Sequence, residues 1–136
     1  LAGATKTYLK LLTEYGLAVG MAFQIKDDMM GILSPESLKK EKNDITEGKL
    51  TMPVAQLYLC GTSEQIKTVN DFMGKPVSSS AVEQIVGILE ESGALDRCRK
   101  LAEDYIQKSK TALEGVRMAN TEFLTGLADY VISRTR

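Results

Sequence analysis

Gly20-Met21-Ala22-Phe23-Gln24-Ile25-Lys26-Asp27-Asp28-Met29-Met30-Gly31 is the stretch on which the reading of the whole chain turns. It continues a segment from Tyr8 in which apolar residues recur at helical spacing and only Gly16 and Gly20 interrupt. Positions three and four apart share a helix face, which sets Gln24, Asp27, Asp28 and Gly31 on one polar stripe. Adjacent carboxylates repel. Negative charge late in a helix also opposes the macrodipole, and apolar neighbours add a desolvation cost. A divalent cation at Asp27 and Asp28 relieves all three penalties. A solvated acidic pair at a helix end is the plainer alternative, and these residues alone leave both open.

The segment that follows bears on the choice. Between Ile32 and Pro53 the chain has no clear period and carries Pro35, Asn43, Gly48 and the lysines Lys39, Lys40, Lys42 and Lys49. Structureless connections longer than about 12–15 residues are uncommon in compact domains unless functional or disordered. Carboxylates for a metal and lysines for anionic oxygens together suggest a diphosphate held through Mg²⁺ (Mn²⁺ being possible). That ion is bound by one or two carboxylates while keeping waters and substrate phosphate oxygens.

Phe23-Gln24-Ile25-x-Asp27-Asp28, followed by Asp44-Ile45-x-Glu47-Gly48-Lys49-x-Thr51-x-Pro53, resembles the second aspartate-rich region of the trans-isoprenyl (polyprenyl) diphosphate synthases. The likeness extends upstream to Tyr15-Gly16 and Gly20, and downstream to Leu127-Ala128-x-Tyr130-Val131-Ile132-x-Arg134, which resembles the family's closing helix. It spans nearly the whole chain. The resemblance implies an all-α helical bundle in which residues 1–136 form the C-terminal part of one synthase domain. Leu1-Ala2-Gly3-Ala4 then matches the tail of a preceding helix, and the first aspartate-rich motif and the isopentenyl diphosphate site are expected upstream.

The same resemblance implies a prenyltransferase of the polyprenyl (geranylgeranyl) type, condensing isopentenyl diphosphate with an allylic diphosphate. By position, Asp27 ligates Mg²⁺, Asp28 and Asp44 hold metal-bound waters, and Gln24 assists on the same face. Lys49 and one of Lys39 or Lys40 contact the allylic diphosphate, and Phe23 lines the space beside the second substrate; Arg134 and Arg136 either help close the site or are simply basic residues favoured at a helix C-terminus. Asp27, Asp28 and Lys49 are thus the expected catalytic residues. Two departures stand out. Gly31 occupies the place of the family's third aspartate, as in short-chain archaeal and actinobacterial geranylgeranyl diphosphate synthases. Leu38-Lys39-Lys40-Glu41-Lys42-Asn43 lacks the two glycines the family carries before its loop aspartate. A terpene-cyclase-type enzyme and a non-catalytic partner subunit remain as alternatives; the Glu47-Gly48-Lys49-x-Thr51 loop argues against the former.

Composition narrows the rest. With 26% charged and 43% hydrophobic residues over 136 positions, the chain is of ordinary soluble type and long enough for a core. A net charge of −1 gives no bulk electrostatic reason to bind nucleic acid. Lys26-Asp27-Asp28 breaks the longest apolar run, so no transmembrane segment is expected. Cys60 and Cys98 read as reduced core residues of a cytoplasmic protein. The absence of histidine excludes His-based triads and zinc sites. A homodimer or higher oligomer is expected of the protein. The fragment alone is expected to self-associate and to be inactive, because the faces of its first and last helices that would meet the upstream half carry apolar residues with nothing here to cover them.

Read in order, the opening helix is expected from about Thr5 to Ile32, with Tyr8, Leu12, Tyr15, Val19, Ala22, Phe23 and Met30 inward. Gly16 and Gly20, each costing roughly 1 kcal/mol against alanine in a helix, suggest close packing or an open groove. Thr51 with Pro53 starts a second helix that stops at Gly61. Thr62-Ser63-Glu64-Gln65 fits a capping box for a third, and Ser80-Ala81-Val82-Glu83 repeats the logic for a fourth, closed by Gly93. A fifth carries Leu95, Cys98, Leu101, Ala102, Tyr105, Ala112 and Val116. Asn120 or Thr121 caps the last, with Phe123, Leu124, Leu127, Val131 and Ile132 inward. Nothing reads as a strand.

Overall fold

The computed structural model describes residues 5–33, 43–116 and 121–133, and within them it shows six helices and no strand. These are α1 (Lys6–Leu33), α2 (Met52–Cys60), α3 (Ser63–Phe72), α4 (Ser79–Glu91), α5 (Ala94–Glu114) and α6 (Thr121–Ser133). The all-α expectation is met, and α1 agrees with the sequence reading to one residue at each end. No helix among the described residues is long and apolar enough to cross a membrane.

Helix boundaries follow local chemistry. Thr62 and Gln65 form the expected capping box: Gln65 N–H donates to Thr62 Oγ1 at 3.2 Å, and Thr62 N–H donates to Gln65 Oε1 at 2.9 Å. Two of the four N–H groups left over at a helix start are thereby satisfied. The fourth helix begins two residues earlier than expected. Its cap is Ser78, whose backbone is extended and whose Oγ accepts from Ala81 N–H at 3.3 Å. In a run of three serines, the first with extended backbone takes the role and the other two enter the helix. The Asn120 half of the last cap expectation lies outside the described residues.

The chain divides into two compact units. One takes in α1 through Lys26, α5 from Lys100 onward, and α6. Its core gathers Tyr15, Ala22, Ile106, Leu113, Ala128 and Val131, and the buried Tyr15 hydroxyl donates to the Leu124 carbonyl at 2.8 Å. The inward line on α1 is Tyr15, Ala18, Ala22, Ile25, Met29 and Ile32, all buried, a strict alternation of three and four. Phe23 falls one residue off that line and is 43% exposed. On α6, Ala128 and Val131 are buried, whereas Phe123 and Leu127, both expected inward, are 71% and 42% exposed. They lie four apart on a different side of the helix. Periodicity finds an apolar stripe but cannot choose between two adjacent ones when the helix is apolar around most of its girth.

The second unit runs from Asp27 to Arg99. Its core joins Ile32 of α1, Ile45 of the loop, Val54 and Leu57 of α2, Val69 of α3, Ile85 and Leu89 of α4, and Leu95 of α5. Ile45 is the anchor of the loop. It is 1% exposed, and burial of such a side chain is worth about 1.5–3 kcal/mol. Its carbonyl accepts from Gly74 N–H at 2.9 Å. Gly48 closes the same turn at φ 67°, and a Cβ there would meet Gly74 Cα at 3.2 Å. Positive φ and close backbone approach both call for glycine at that point.

Candidate functional site

The described part of the loop is ordered rather than structureless. Thr46 N–H donates to Asn43 Oδ1 at 3.0 Å, and Asn43 N–H donates to Thr46 Oγ1 at 2.9 Å, a reciprocal pair that mimics a backbone turn. Lys49 N–H then donates to the Asp44 carbonyl at 2.9 Å. The turn thus folds Lys49 back over Asp44. The Lys49 ammonium lies 3.0 Å from Asp44 Oδ1 and 2.6 Å from Glu47 Oε2. Its pKa is raised above the ordinary lysine value, first by the hydrogen bond to Glu47 and then by Asp44. The result is a cation held in place at the surface.

At the other side of the site, α1 carries Asp27, Asp28 and Gly31 on its last turns. Asp27 is exposed. Asp28 is half-buried, and its Oδ2 accepts from the backbone N–H of Met52 at 2.8 Å. Met52 is the first residue of α2 and Pro53, next to it, has no N–H to offer. Thr51 stands in the cap position with extended backbone but makes no side-chain cap. Asp28 therefore caps α2 from another helix. A carboxylate that opposes the dipole of its own helix sits in the favourable field at the start of another, an answer to the charge puzzle that needs no metal. Sequence reasoning missed this: Thr51 carries a hydroxyl suited to capping, and nothing in the sequence shows that it makes no cap.

Asp28 also reaches Cys98 electrostatically. Burial pushes the Cys98 thiol up to about 11, and the Asp28 carboxylate adds to the shift. Cys60 and Cys98 are both free, Cys98 fully buried, in keeping with the expected reduced core residues. Thr51 Oγ1 is buried without a hydrogen-bond partner among the described residues.

Asp44 and Gly31 meet directly. A Cβ built on Gly31 would lie 2.5 Å from Asp44 Oδ2 and 3.6 Å from its Cγ. The loop carboxylate therefore rests on the α1 backbone one turn beyond Asp27.

Of the expected site residues, Asp28, Asp44 and Lys49 are gathered around the end of α1, with Asp27 on the adjoining turn. Phe23 and Gln24 are exposed on the part of α1 that belongs to the other unit. Lys39, Lys40, Arg134 and Arg136 lie outside the described residues. Among the described residues, no three Cys, Asp or Glu side chains converge tightly enough to hold a metal ion by themselves. The donor set consists of hard carboxylate oxygens with a lysine beside them. It fits a hydrated Mg²⁺, which takes one or two carboxylates and fills its octahedron with water and phosphate oxygens. It does not fit a dehydrated all-protein cage.

Residues 1–89 match the family model described as polyprenyl synthetase. The chain belongs to the polyprenyl synthetase family. Within that family it is 33% identical over 138 residues to a geranylgeranyl diphosphate synthase of Methanosarcina mazei, covering 98% of this chain and 41% of the relative. The fold is that of the geranylgeranyl pyrophosphate synthase of Corynebacterium glutamicum, with a TM-score of 0.85 at 23% identity over 98% of this chain and 39% of that one. A polyprenyl synthase from Caulobacter crescentus, solved with calcium and isoprenyl diphosphate, matches at TM-score 0.82 and 28% identity. That match covers 99% of this chain and 42% of the other. The chain spans about two fifths of the length of these polyprenyl synthases.

Proposed function

We propose that the protein carrying this chain is a prenyltransferase of the polyprenyl (geranylgeranyl) diphosphate synthase type, which joins isopentenyl diphosphate to an allylic diphosphate. The observation that carries the reading is the placement of Asp44 and Lys49, one anionic and one cationic group in contact, beside the carboxylates at the end of α1. Cleavage of an allylic C–O bond is hard because charge must separate, so such an enzyme works chiefly by stabilising the departing diphosphate. Lys49 is fixed by Glu47 and Asp44, which take two of its three N–H donors and leave the third for a diphosphate oxygen. Asp27 is exposed and open to ligation, and Asp28 and Asp44 would accept hydrogen bonds from metal-bound water. A divalent cation, Mg²⁺ or Mn²⁺, supplies charge neutralisation at the leaving oxygens when bound. The calcium and isoprenyl diphosphate in the Caulobacter crescentus relative support a divalent ion in this role.

The sequence contains a single Asp-Asp pair. By itself the 136-residue chain is expected to bind diphosphate weakly and to turn nothing over. The reading includes a cytoplasmic location and a homodimer or higher oligomer. The test is product formation by the full protein from labelled isopentenyl diphosphate with C5, C10 and C15 allylic diphosphates. Prenyl diphosphates should form with Mg²⁺ or Mn²⁺ and vanish with chelator. Release of diphosphate with a cyclic hydrocarbon would mark a terpene cyclase instead, and no turnover with any acceptor would mark a partner subunit.

A further inference from the structure

We infer that Gly31 is a positioning residue for Asp44: the missing side chain forms the seat that fixes where the loop carboxylate lies. The inference rests on the metal–diphosphate reading above. Gly31 lies within α1 and is not among the positive-φ glycines, so backbone freedom does not account for it. A helix-interior glycine costs roughly 1 kcal/mol against alanine, and here space is the compensation. Asp44 Oδ2 stands 2.5 Å from the point a Cβ would occupy. Neither backbone can retreat, because Ile32 and Ile45, the next residue on each side of the contact, are both 1% exposed in the same core. A single methyl at position 31 must therefore displace Asp44 Oδ2, and the carboxylate it turns is the one whose Oδ1 meets Lys49 at 3.0 Å. It follows that a side chain at position 31 and Asp44 in its present place exclude one another. In this chain the carboxylate over that turn comes from the loop, not from the helix.

The experiment is Mn²⁺ binding to the purified full protein, followed by electron paramagnetic resonance of the free ion with inorganic diphosphate present. Melting without metal serves as the control for folding. Disturbing an outer-shell partner of a metal site, as Asp44 is on this reading, typically weakens the metal by about 10–100-fold. Gly31→Ala is expected to raise the Mn²⁺ dissociation constant by at least about tenfold while the metal-free melting temperature stays near native. Gly31→Asp should also bind more weakly, although it adds a carboxylate. Asp44→Ala should show a similar loss, and adding Gly31→Ala to it should change nothing further, since the clash is gone. Native Mn²⁺ affinity in Gly31→Ala, or a further full loss in the Asp44→Ala background, overturns the inference alone. No Mn²⁺ binding by the unaltered protein overturns the functional reading, and this inference with it.

Discussion

Asp28 on α1 accepts a 2.8 Å hydrogen bond from the backbone N–H of Met52, so that one helix closes the start of another. This gives Asp28 a structural duty separate from any metal. Asp28→Ala removes the acceptor and leaves the Met52 amide unsatisfied, at a cost of about 0.5–2 kcal/mol by analogy with lost N-caps. Thermal melts without metal should show Asp28→Ala clearly below native and Asp28→Asn, which keeps an oxygen acceptor, between the two. Equal melting of all three variants would remove the capping role.

Asp27, one residue away, should behave in the opposite way. Its side chain is exposed, so Asp27→Ala should melt as the native protein does. Turnover with Mg²⁺ should nevertheless fall by at least about 10²–10³, the scale for losing one electrostatic stabiliser of a transition state. Near-native turnover of this variant would sink its assignment as the direct metal ligand.

The contrast between these neighbours shows what the sequence could and could not carry. The Asp27-Asp28 pair, the Asp44 to Pro53 motif and the six helices of the described residues were legible, because spacing and residue type are local. That Asp28 caps α2 was not, since it depends on how the Thr51-Met52-Pro53 turn meets α1 across 24 residues of chain. The Gly31–Asp44 seat was equally hidden: the sequence presented Gly31 as an aspartate missing, where the structure presents it as room for another one. Inward faces failed only where two apolar stripes run side by side, at Phe23, Phe123 and Leu127.

The buried thiol gives a test at high pH. Cys98 has a folded pKa of about 11, against about 8.5 when unfolded. The folded state thus keeps a proton that the unfolded state gives up. This contribution is fully present below the unfolded value and is lost as pH rises through the folded one. Stability should therefore fall between about pH 9 and 11, and the fall should be shallower in Cys98→Ala. Tyr15 is also raised by burial and acts in the same direction, so the comparison with Cys98→Ala is what isolates the thiol. Identical slopes for native and variant would remove this assignment. In thiol labelling under native conditions, Cys60, which is partly exposed, should react before the fully buried Cys98.

The exposed side of the first unit makes the last prediction. On α1, Leu9, Leu17 and Met21 are 56%, 67% and 39% exposed, and a Cβ built on Gly16 or Gly20 meets nothing within 4 Å. Among the described residues nothing packs against those two glycines, which favours the open-groove alternative. On α6, Phe123 and Tyr130 are exposed as well. Soluble monomers rarely leave contiguous apolar patches above a few hundred Å² uncovered, so the isolated 136-residue chain should self-associate, as light scattering over a concentration series can show. If the Gly16–Gly20 side stays open, Gly16→Ala and Gly20→Ala should each stabilise the isolated chain by about 0.5–1 kcal/mol through helix propensity alone. If instead that side is where chains or further segments press backbone to backbone, the same substitutions should weaken association while leaving helix content unchanged. A monomer at high concentration with sharp tertiary signals would show that the exposed side needs no cover, and the expectation of self-association would fall.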